Sequence, residues 1–198
     1  MRIGMSMTFK RLAMGSVVLA CAFLARIPSI SAQSPKLPEE FTAIYTNIGT
    51  VGAVGALPVN IRISRWTTDA ENEKLMSVLA GKGTEALVRV LSGAKSAGSI
   101  GTPQELPYDL RYARQSAADG GGRRIILMTD RPMDPSERMS SARSKDYPLT
   151  WIELHLDNTG RGEGTISLAV RLRLLGDVLG IEDLGNQAAR LNEVKKVK

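Results

Sequence analysis

From residue 41 onward the chain is dominated by apolar residues at every second position, the spacing of strands with one face in a core. Val59, Ile61 and Ile63 alternate with Asn60, Arg62 and Ser64. Tyr108, Leu110 and Tyr112 alternate with Asp109, Arg111 and Ala113, and Ile152, Leu154 and Leu156 alternate with Trp151, Glu153, His155 and Asp157. The longest run puts Ile166, Leu168, Val170, Leu172 and Leu174 on a single face. Phe41–Ile48 and Arg124–Thr129 read as further strands, with Asp119-Gly120-Gly121-Gly122 as the turn into the second of them. Polar, proline-bearing residues 130–146 read as a long surface loop.

The period changes once. Thr68-Asp69-Ala70-Glu71 has the spacing of a capping box, in which hydroxyl and carboxylate each satisfy an orphan backbone N–H. Leu75, Met76, Val78 and Leu79 follow at helical spacing until Gly81, and a second short helix is expected from Thr84 to Leu91, closed by Gly93. Gly176-Asp177 and Gly185-Asn186 have the form of two-residue hairpin turns. They predict a C-terminal four-strand antiparallel meander ending in Ala188–Val197. The expected fold class is α+β: eight or nine mostly antiparallel strands with a helical pair inserted after the second. Such a sheet buries its apolar face by curling around it or by laying the helices on it, and a strongly curved sheet or partly closed barrel is the expected form.

The N-terminus has a different pattern. Arg2, Lys10 and Arg11 precede a run of apolar and small residues from Leu12 to Ala25, and Ile30-Ser31-Ala32 offers a small-residue exit. These are the three parts of a secretory signal. A spanning helix needs about 20 predominantly apolar residues, and Arg26 and Pro28 interrupt this run too early. Residues 1–32 are therefore expected to be a signal segment cleaved between Ala32 and Gln33. Residues 33–40 would form a flexible leader, and 41–198 a single exported domain, periplasmic or extracellular, with no membrane span. An alternative starts from Val18-Leu19-Ala20-Cys21, which has the form of a lipoprotein box and would place a lipid on Cys21. The apolar run continues through Ala22–Ala25, so this reading ranks second.

That boundary changes the electrostatics. Residues 1–32 hold four of the 26 basic residues and none of the 20 acidic ones, so the net charge of +6 falls to +2 beyond them. The sequence pI of about 9.7 thus largely reflects the signal segment, and no concentrated basic face remains to suggest nucleic acid as a partner. Cys21 is the only cysteine, so the domain has neither disulfide nor thiol nucleophile and relies on core burial.

Candidate chemistry is sparse. His155, the only histidine, shares a strand face with Glu153, and the two form the best acid/base pair available. No Cys or second His accompanies them, so no metal is expected, and no motif implies a cofactor. Arg111, Arg114 and Arg131 lie near strand ends close to Asp130, where aligned guanidinium groups could take a carboxylate or phosphate. Trp151 adds an aromatic surface beside Glu153 and His155. Each group also has a bland reading, as solvated sheet-face residues or a surface salt-bridge network. Trp66 reads as a plug where helix meets sheet.

The segments Arg65-Trp66-Thr67-Thr68-Asp69, Tyr108-Asp109-Leu110-Arg111-Tyr112-Ala113-Arg114, Arg124-Ile125-Ile126-Leu127-Met128-Thr129-Asp130-Arg131-Pro132 and Ile152-Glu153-Leu154-His155-Leu156 together resemble a family of exported bacterial proteins with no assigned activity. The resemblance implies an exported domain over most of residues 41–198 and supplies no catalytic residue. That family's usual ending has a proline before the last strand, where this chain has Gln187-Ala188-Ala189. Three readings follow. The leading one is a non-enzymatic exported domain that binds a partner or small ligand. The second is an enzyme working through Glu153 and His155, and the third an apolar-ligand carrier with an internal cavity.

Overall fold

A computed structural model describes residues 36–47, 55–133, 146–175, 178–184 and 188–197. Contacts divide the chain into Met1–Ser34, outside the described residues, and Pro35–Lys198. The second unit is mostly antiparallel sheet. Its strands are β1 (Glu39–Asn47), β2 (Gly55–Ile63), β3 (Gly98–Gly101), β4 (Tyr108–Leu110), β5 (Tyr112–Ala117), β6 (Arg123–Met128), β7 (Leu149–Leu156), β8 (Arg161–Leu175), β9 (Val178–Asp183) and β10 (Ala189–Lys196). One helix, α1 (Asp69–Ser92), lies between β2 and β3. No helix among the described residues is long and apolar enough to cross a membrane.

The strand order is β4-β3-β2-β1-β10-β8-β7-β6-β5, with β9 also paired to β8. Its two outermost members, β4 and β5, are consecutive in the chain, separated only by Arg111. One stretch of backbone thus forms both edges, and the sheet curls into a nearly closed barrel, which leaves little edge exposed to other chains. Inside it Phe41, Ile61, Ile63, Ile100, Leu110, Ile125, Leu127, Ile152 and Leu191 pack into one cluster, each at most 1 % exposed.

A second core lies outside the barrel. Leu75, Leu79, Leu87 and Leu91 of α1 pack on Tyr112, Met128, Leu149, Trp151, Val170 and Leu172 from the outer face of β5–β8. Each buried leucine contributes about 1.5–3 kcal/mol, which is what holds the helix to the sheet. Trp151 is therefore buried beneath α1, not on the solvated face expected for it, and Leu149–Ile152 are buried on both faces of the sheet.

Strict alternation fails at three points, each where two residues of one strand oppose one of its neighbour. At Arg111–Tyr112 the backbone N–H of Arg111 joins Tyr112 opposite Met128. Leu110 and Ala113 consequently face in, while Tyr112 turns out beneath the helix. In β8 the register shifts opposite Thr150, so Ile166 and Leu168 pack on the inner cluster but Val170, Leu172 and Leu174 on the outer one. The expectation of one continuous apolar face is corrected here. The freed carbonyl of Leu168 accepts from Thr150 Oγ1 at 2.8 Å and Met133 N at 3.0 Å, so the bulge does not leave it unpaired. A third shift lies between Leu191 and Val194, where Glu193 has φ 50° and both flanking apolar residues stay inside.

Other expectations are also corrected. α1 passes Gly81 and is kinked at Gly83, whose φ of 76° and ψ of −175° are not helical, one residue before the start expected for the second helix at Thr84. Helix–sheet packing on both sides outweighs the roughly 1 kcal/mol cost of an interior glycine. Beyond the break Thr84 Oγ1 donates to the Leu172 carbonyl at 2.5 Å. The four-strand meander is also revised. Gly176-Asp177 and Gly185-Asn186 lie outside the described residues, but the strands beside them fix the topology. Leu175 pairs with Val178 at one end of the antiparallel β8–β9 ladder. β9 and β10 both run antiparallel to β8 on the side away from β7, and β10 pairs with β8 and β1 instead of with β9. The four-residue strand β3 was not expected, because Ile100 alone gives no alternation. A Cβ on Gly98 (φ 155°) would collide with the Arg62 carbonyl, so the close approach of β2 and β3 requires glycine there.

Candidate functional site

β6 carries consecutive arginines that point to opposite faces, and each meets a carboxylate. On the outer face Arg124 grips Glu153 with two hydrogen bonds, Nε to Oε1 at 2.6 Å and Nη2 to Oε2 at 2.8 Å. His155 Nε2 stands 2.7 Å from the same Oε1. The expected pair is thus brought together, with an arginine that the sequence reading did not include. Arg124 holds the Glu153 carboxyl below the usual carboxylate range, chiefly through its hydrogen bonds, and the carboxylate in turn raises the guanidinium. A carboxylate kept ionised by a bidentate partner is a weak proton acceptor near neutrality. The His155 side chain is 55 % exposed, on an open sheet face.

The candidate arginines do not converge. Arg111 donates to Asp130 at 3.2 Å and to the Ala94 carbonyl beyond the end of α1 at 3.2 Å, and pairs with Asp109 at 3.4 Å. Arg114 pairs with Asp69 in the first turn of α1 at 2.8 Å. Arg131 lies over the Tyr108 ring, 4.8 Å from its centroid. These contacts fasten the helix to the barrel and stack on an aromatic face. Trp66 is half-buried against the inner cluster. The Trp151 indole N–H has no hydrogen-bond partner among the described residues. Cys21, Ala32 and Gln33 lie outside the described residues. Among those described, no group of three His, Cys, Asp or Glu side chains is arranged to hold a metal ion.

A buried ion cluster escaped the sequence reading. Glu39, assigned there to the flexible leader, is the first residue of β1 and fully buried. Its carboxylate accepts from Arg123 Nη1 at 2.8 Å and Nη2 at 3.0 Å, and from Lys196 Nζ at 2.5 Å. Arg123 also donates to Gln115 and lies over the Phe41 ring at 5.7 Å. Glu39 alternates with Phe41 and Ala43, and Arg123 with Ile125 and Leu127. Those core periods extended by one step were the available signal.

Beside His155 the outer surface is concave. A cleft of about 680 Å³ is lined by Ala118, His155, Leu156, Asp157, Arg161, Gly162 and Glu163. One rim is the β5–β6 turn, where Ala118 N donates to Gly122 O at 2.9 Å, and the other is the β7–β8 hairpin. The Asp157 carboxylate is spent on that hairpin, accepting from Thr159 Oγ1 at 2.7 Å, Thr159 N at 2.8 Å and Arg161 N at 3.0 Å. These bonds, that from the Thr159 side chain first, lower its pKa.

Fold and surface together define a small, nearly closed antiparallel barrel with an apolar cluster inside, an external helix and a polar outer face over β6–β8. In comparisons with known proteins, the chain matches no family model, no curated protein and no solved structure.

Proposed function

We propose that the chain is an exported, non-enzymatic domain that binds a partner or small ligand through the outside of its barrel. The observation that carries this reading is the state of Glu153: both carboxylate oxygens are engaged by Arg124. The one imidazole therefore stands beside an ion pair on an open face instead of beside a free base. A carrier of apolar ligands would need an interior chamber, whereas the inward positions of β1–β7 and β10 carry large apolar side chains packed together. Export rests on the signal pattern of residues 1–32 and on the family resemblance.

Two measurements test this reading. Mass spectrometry of cell fractions is expected to find a mature N-terminus near Gln33 in the envelope or medium. Intact Met1 confined to the cytoplasm would overturn export, and a diacylglyceryl group on Cys21 would establish the lipoprotein alternative. A photoreactive residue at the exposed outer position Thr165 is expected to form a discrete adduct with an envelope component, equally in wild type and in His155→Gln. An adduct or turnover abolished by His155→Gln, with an imidazole pKa displaced by well over about one unit, would favour the acid/base enzyme instead.

A further inference from the structure

We draw no further inference here: the strongest candidate, the cleft of about 450 Å³ between the Gly83 break of α1 and β8, has a basic lining of Lys82, Arg171 and Arg173, but the two arginines already pair with Asp146 and Glu182 and nothing else in the structure points to a ligand there.

Discussion

Arg123 and Arg124 are neighbours in sequence and make the same bond in two different media. Each takes a carboxylate with a bidentate guanidinium, and each carboxylate has a second nitrogen partner, Lys196 for Glu39 and His155 for Glu153. Glu39 is fully buried at one end of the barrel interior, whereas the Arg124 and Glu153 side chains are 42 % and 17 % exposed on the outer face. The difference teaches that geometry alone does not set the worth of an ion pair. Inside, loss of one member strands a charge without water. Outside, water and salt replace the lost partner.

The largest expected effect comes from breaking the inner cluster. Arg123→Gln leaves Glu39 with Lys196 alone and should cost about 3–5 kcal/mol in urea denaturation. Replacing Glu39, Arg123 and Lys196 together by Leu, Met and Met should be near neutral or stabilising, because no buried charge then remains. A triple variant as unstable as the single one would mean that the charges are not what the site needs.

The helix start gives the next largest change. Both halves of its capping box are formed, Glu71 N to Thr68 Oγ1 at 3.2 Å and Thr68 N to Glu71 Oε2 at 2.8 Å. Thr68→Ala should cost about 0.5–2 kcal/mol, read as a lower urea midpoint at unchanged slope. Arg65 and then Thr68 lower the Glu71 pKa to about 2. A depressed carboxyl stabilises fully above its unfolded pKa of about 4.3, and its contribution fades as pH falls toward the folded value. Because Glu71 is 43 % exposed, the effect should be small and should shrink in high salt. A midpoint difference between wild type and Glu71→Gln that persists at pH 2 would contradict it.

On the outer face Arg124→Gln should cost no more than about 1 kcal/mol. Glu153 is likewise depressed by Arg124, so this loss should vanish as pH falls below the ordinary carboxylate range and diminish at 1 M salt. A loss as large as that from Arg123→Gln would erase the contrast between the two faces. His155→Gln should give the smallest change, within about 0.5 kcal/mol by thermal or urea melts.

Much of the barrel was legible, since β2, β7 and β8 follow runs of alternating residues, β1 and β6 follow apolar-rich runs, and the cap of α1 follows from Thr68 and Glu71. What alternation could not show was where it would be interrupted. The shift in β8 sends Val170, Leu172 and Leu174 from the inner core to the outer one, and nothing in their own identities distinguishes the two. Lys196 is similar, since its place beside Glu39 depends on the irregularity at Glu193. Trp151 was put on the correct face, but that face was taken as solvated because the docking of α1 depends on residues far away in sequence. Arg124 was missed as the partner of Glu153 because they meet only across the β6–β7 register.

The position of the last strand bears on how the molecule assembles. β10 fills the place between β1 and β8, so residues as distant as Phe41 and Lys196 are direct neighbours. Until that strand leaves the ribosome, β1 lacks its second neighbour, Leu191 and Val194 are missing from the core, and Glu39 lacks its lysine. Loop-closure entropy makes such long-range pairing slow. The barrel therefore cannot close until β10 is available to pair with both β1 and β8.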